Sequence, residues 1–76
     1  MQNVNERIYA ILNSILEMPV NKQTSISMQN CEQWTSLAHI DIIMSIEEEF
    51  GIAFGADDLP DLNTQEALID KVKELL

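Results

Sequence analysis

The sequence predicts an all-α fold: a small four-helix bundle of three main helices and one short helix, with a long loop between the first two. Three observations carry this. Apolar residues recur at helical spacing in three separate stretches. Capping residue types stand at the ends of those stretches. The best strand candidate, Ile52-Ala53-Phe54, is too short to argue for a sheet. The chain has 76 residues, of which 46% are hydrophobic. That is enough for one compact core, so residues 1–76 read as a single domain.

The first helix is expected from about Val4 to Glu17, where Val4, Ile8, Ile11, Leu12, Ile15 and Leu16 follow helical spacing. Asn3 and Glu6 have the spacing of a capping box. Pro19 should end the helix, because a proline pushes its predecessor away from helical angles. From Val20 to Trp34 no period is visible. Asn, Gln, Ser and Thr dominate, and Ile26, Met28 and Trp34 are scattered apolar anchors. This reads as a long loop laid across the helices, a length that is uncommon unless functional.

The central helix should run from about Ser36 to Phe50, with Thr35 as N-cap and Gly51 just past its end. Ile40, Ile42, Ile43, Ile46 and Phe50 share one broad apolar arc, extended on one side by Leu37 and Met44. Asp41, Glu48 and Glu49 occupy the narrow polar arc. Asp57 to Asp61 suggest one irregular turn. The last helix is expected from about Thr64 to Leu75. Asn63 and Glu66 have capping-box spacing, and Leu68, Ile69, Val72, Leu75 and Leu76 form its apolar face.

Composition excludes several classes. No apolar run approaches the ~18 residues of a membrane span. Met1-Gln2-Asn3-Val4-Asn5 is not the basic opening of a secretory signal. Cys31 is the single cysteine, so no internal disulfide forms, and a reducing, cytoplasmic home fits. Thirteen Asp and Glu face four Lys and Arg, for a net charge of −9. Between Lys22 and Lys71 there is no Lys or Arg, and most of the acids lie there. Such a surface repels nucleic acid and anionic lipid, and its natural partners are basic protein surfaces.

Ser36, at the start of the central helix, is the residue with chemistry. Its plain role would be that of a capping residue. Its functional role would be an exposed hydroxyl at the positive end of a helix, where an anion on that oxygen is stabilised by backbone N–H groups. His39 lies one turn later, which raises a Ser–His hydrolase pair. No Gly-rich nucleophile elbow, third group or oxyanion hole supports that reading. Glu47, Glu48 and Glu49 are adjacent on a helix and point in different directions, so they make no metal site.

The run from Thr35-Ser36-Leu37 to Glu47-Glu48-Glu49-Phe50-Gly51-Ile52 resembles the signature of acyl carrier proteins, in which Asp-Ser-Leu opens an acidic second helix. The order of helices and the long loop match as well, so the resemblance covers the whole chain. It implies that Ser36 carries a 4′-phosphopantetheine arm, installed from coenzyme A by a phosphopantetheinyl transferase. The arm's thiol would hold acyl cargo as a thioester, with no catalysis by the protein itself. It also implies that Asp41, Glu47 and Glu48 meet Arg and Lys on partner enzymes while Leu37 and Met44 fill shallow apolar pockets. Thr35 departs from the family's Asp. It can cap the helix but offers no charge to the transferase.

The expected protein is thus a free-standing, monomeric carrier of bacterial type. It would deliver acyl groups in fatty-acid or specialised biosynthesis, such as that of polysaccharides or secondary metabolites. An aminoacyl or peptidyl carrier, or an acidic helical binding module that never carries an arm, are the alternatives.

Overall fold

The computed structural model describes residues 3–76. Met1 and Gln2, which open the stretch read above as lacking a basic leader, lie outside the described residues. Three α-helices, α1 (Val4–Leu16), α2 (Ser36–Phe50) and α3 (Gln65–Leu75), are joined by long connections, with a 3₁₀ turn at Leu59–Asp61 before α3. The short helix is thus narrower than the Asp57–Asp61 turn read from the sequence. α1 packs against both α2 and α3. Among the described residues no helix is long and apolar enough to cross a membrane.

Local chemistry sets most boundaries. Asn3 Oδ1 accepts from the Glu6 amide at 2.8 Å and starts α1. The helix stops at Leu16, one residue earlier than expected and ahead of Pro19. Glu17 takes a left-handed conformation (φ 53°), a rare state for a residue with a Cβ. The reversal is held by Asn13, whose Nδ2 donates to its own helix at Tyr9 O and to the returning chain at Val20 O. Gly51 ends α2 with φ 65°. A Cβ there would meet nothing within 4 Å, so glycine serves the backbone angle and not a close approach.

The N-cap of α3 is Thr64, not Asn63. Thr64 Oγ1 accepts from the Ala67 amide at 3.0 Å. The reason is tertiary. Ser27 and Thr64 form an isolated antiparallel bridge, with Met28 N bonded to Asn63 O and Gln65 N to Ile26 O. That pairing holds Thr64 extended (φ −135°, ψ 157°), so the helix begins one residue later. Gln65, the buried polar side chain of the core, fastens the same loop: Thr24 Oγ1 donates to its Oε1 at 2.7 Å, and its Nε2 donates to Asn21 O at 2.9 Å.

The core gathers Ile8, Leu12 and Leu16 from α1, Ile42, Ile43 and Ile46 from α2, and Leu68, Ile69 and Val72 from α3. The loop adds Val20, Ile26, Cys31 and Trp34, so it is packed across the helices and not draped in solvent. Cys31 is a buried filler, its Sγ 3.3 Å from Met18 Sδ. Two expectations for the apolar faces need correction. Leu75 and Leu76 are exposed at the end of α3. Ile40, placed on the broad apolar arc of α2 with the core residues Ile42, Ile43 and Ile46, is 54% exposed. Periodicity shows which residues share a face but does not count the neighbours that cover it.

Candidate functional site

The candidate site is the first turn of α2 and the face that follows it. Thr35 is extended, and its Oγ1 accepts from the Ala38 amide at 3.2 Å. Its carbonyl accepts from the His39 amide at 2.8 Å. These bonds place Ser36 at the first helical position, with its side chain exposed. The first backbone N–H groups of a helix have no partner within it, and they carry the positive end of its dipole. α1 and α3 meet that end with Glu6 and Glu66 in their first turns, whereas α2 has no acid in its first turn. In a chain of net charge −9, α2 is thus the α-helix whose first turn carries no acid of its own.

Below Ser36, α2 presents Leu37 (78% exposed), Ile40 and Met44 (62% exposed) at positions i, i+3 and i+7. These three large apolar side chains are left more than half exposed on one face, with Ile40 and Met44 edging a shallow groove shared with Phe54 and Leu59. Ile40 joins this stripe, which sequence reasoning had limited to Leu37 and Met44. Exposed Asp41 and Glu48 flank it.

The three consecutive glutamates go three ways. Glu48 faces solvent. Glu47 is half-buried, and its Oε2 accepts from the Phe54 amide at 2.8 Å, which ties the segment after α2 back onto the helix. One of its oxygens is therefore already engaged. Glu49 belongs to Arg7 of α1: Nε and Nη2 donate to Glu49 Oε1, Nη2 also donates to the Glu49 carbonyl, and the guanidinium sits 4.5 Å over the Phe50 ring. Among the described residues, no group of His, Cys, Asp and Glu is arranged to hold a metal ion.

His39 is not the base of a hydrolase pair. The buried Trp34 donates from Nε1 to His39 Nδ1 at 3.1 Å. With Nδ1 accepting, the neutral ring carries its proton on Nε2 and has no free lone pair to take a proton from Ser36. This bond was missed from the sequence. Its one available signal was the spacing of an indole donor and an imidazole across a helix start.

No family model matches the chain. A protein named acyl carrier protein from Buchnera aphidicola subsp. Schizaphis graminum (strain Sg) is 36% identical to it over 73 residues, covering 95% of this chain and 92% of that protein.

Proposed function

We propose, because this chain belongs to the acyl carrier protein family, that Ser36 is the attachment point of a 4′-phosphopantetheine arm and that α2 is the face offered to partner enzymes. The observation that carries the reading is the placing of Ser36: an exposed hydroxyl at the acid-free start of α2, next to an apolar stripe that is more than half exposed.

The residues fit the group. The Ser36 oxygen is free to form the phosphodiester. The N–H groups of the first turn and the helix dipole favour the negative charge of that linkage. When attached, the arm supplies a terminal thiol on which an acyl group is held as a thioester. Thr35 holds the turn without placing a carboxylate beside the linkage. Leu37, Ile40 and Met44 give a partner apolar contact, while Asp41 and Glu48, with the remaining oxygen of Glu47, steer its basic surface towards them. The partners on this reading are a phosphopantetheinyl transferase and acyl-transferring or acyl-modifying enzymes. The carrier works as a monomeric single domain in the cytoplasm, in fatty-acid or specialised biosynthesis.

The test is direct. The protein is incubated with coenzyme A, Mg²⁺ and a broad-specificity transferase, then weighed intact and mapped by peptide. The expected result is a gain of about 340 Da, one arm on a serine hydroxyl, located on Ser36 and absent from Ser36→Ala. A protein that stays unmodified, or that takes the arm elsewhere, would leave only an acidic helical binding module.

A further inference from the structure

The chain on either side of Ser36 is closed by one side-chain bond. Trp34, 2% exposed, anchors the end of the loop in the core, and its amide donates to Cys31 O at 3.1 Å. Its indole Nε1–H reaches over Thr35 and Ser36 to His39 Nδ1 at 3.1 Å, with the two rings 6.1 Å apart and tilted by 31°. Among the described residues, no buried side-chain nitrogen or oxygen lacks a partner, and for this indole the partner is His39. The first turn of α2 is therefore stapled twice, by the Thr35 cap on the backbone and by the ring pair to the core.

The second staple depends on charge. Nδ1 accepts only while it is unprotonated; an imidazolium is a donor at both nitrogens and would set N–H against N–H. Little nearby would compensate. The groove that His39 lines holds one charged side chain, Glu47 of the same helix, and its Oε2 is bonded to the Phe54 amide. The following segment contributes Phe54 and Leu59 to that groove, which do not titrate, and the loop meets the ring with Trp34.

We propose that Trp34 and His39 are positioning residues for the loading of Ser36, and that their bond opens when His39 takes a proton. The proposal rests on the reading of Ser36 as the attachment site. It adds a pair of residues that act on the hydroxyl through the turn they hold, and it makes presentation of the hydroxyl weaken in acid.

Two substitutions separate the bond from mere bulk. In His39→Asn the side-chain oxygen stands where Nδ1 stood, accepts from the indole and does not titrate. In His39→Leu no acceptor remains. Initial rates of arm transfer from coenzyme A are measured for wild type and both variants between about pH 5 and about pH 8, the span over which histidines change charge. Each rate is divided by that of His39→Asn at the same pH, which removes the transferase's own pH dependence. The indole N–H resonance of Trp34, the single tryptophan, is followed over the same range.

The wild-type ratio should fall about fivefold towards acid, the population equivalent of one neutral hydrogen bond. His39→Leu should sit at the low value throughout, and His39→Asn should restore loading. The indole resonance should move with pH in wild type and stay fixed in His39→Asn. Equal loading of all three proteins at every pH, or a wild-type indole resonance that does not move, overturns the proposal and leaves the carrier reading standing. A wild-type Ser36 that takes no arm at any pH brings down the carrier reading, and this proposal with it.

Discussion

Replacing Gln65 by leucine tests how the long loop is held. Gln65 is 5% exposed, so its amide exchanges little with water. Leucine keeps most of the volume and removes two neutral hydrogen bonds, from Thr24 Oγ1 at 2.7 Å and to Asn21 O at 2.9 Å. Neither partner is stranded. The Asn21 carbonyl keeps the Thr24 amide as its donor, and the Thr24 hydroxyl, released from Gln65, turns its one proton to that same carbonyl 2.8 Å away, so the full penalty of a buried orphan does not apply. The loss is then that of two net hydrogen bonds, about 1–2 kcal/mol. In a domain of this size that lowers Tm by roughly 5–15 °C. Thermal and urea unfolding followed by circular dichroism measure it, and Thr24→Val completes a double-mutant cycle. The cycle should show coupling of about 1 kcal/mol, because the pair shares one bond. A Gln65→Leu protein as stable as wild type, or singles that simply add in the double variant, would show that the backbone bridge between Ser27 and Thr64 holds the loop unaided.

Arg7→Ala should cost about 1–2 kcal/mol in urea unfolding: its forked contact with Glu49 and its stacking on Phe50 are only about one-third exposed, but Glu49 is wetter. Arg7→Lys should recover less than half of this, since an ammonium cannot hold the carboxylate and the helix-end carbonyl together; full recovery would reduce Arg7 to a point charge. Met44→Ala should change stability by less than about 0.5 kcal/mol, because the side chain is 62% exposed, whereas Ile43→Ala, at 7%, should cost about 2–4 kcal/mol. On a basic partner enzyme Met44→Ala should speed dissociation; an unchanged dissociation rate would remove Met44 from the docking face.

Features fixed by near neighbours in the chain were legible, and those fixed across it were not. Asn3, Thr35 and Gly51 cap their helices as read, because a cap is a contract between residues three or four apart. The same logic put the α3 cap on Asn63, and it failed where a distant strand-like pairing with Ser27 held Thr64 extended instead. The left-handed Glu17 left no mark in the sequence, since the residue type disfavours the conformation and the bonds that hold it come from Asn13. The place of Ser36 at the start of α2 was legible because Thr35 before it is a capping type, whereas the attachment role proposed for it came from the family resemblance and not from the helix pattern. The bonds of Trp34 to His39, Glu47 to Phe54 and Arg7 to Glu49 were not legible, because each requires knowing which side chains the fold brings together.

The apolar arc of α2 shows where periodicity carries more than it first gives. An apolar arc this wide suits a helix with neighbours on most sides. The core covers Ile42, Ile43 and Ile46, whereas Leu37, Ile40 and Met44 stay more than half exposed. An arc wider than so small a core can cover is itself informative, since exposed apolar surface costs free energy when left in water. The surplus lies on one exposed face immediately after Ser36, and acids flank it. Exposed apolar side chains, acids and an exposed serine at the helix start thus share one helix. On the proposed reading a partner that docks on the face meets the hydroxyl in the same encounter, and that coincidence on α2, more than any single residue, is what the reading of Ser36 as an attachment point rests on.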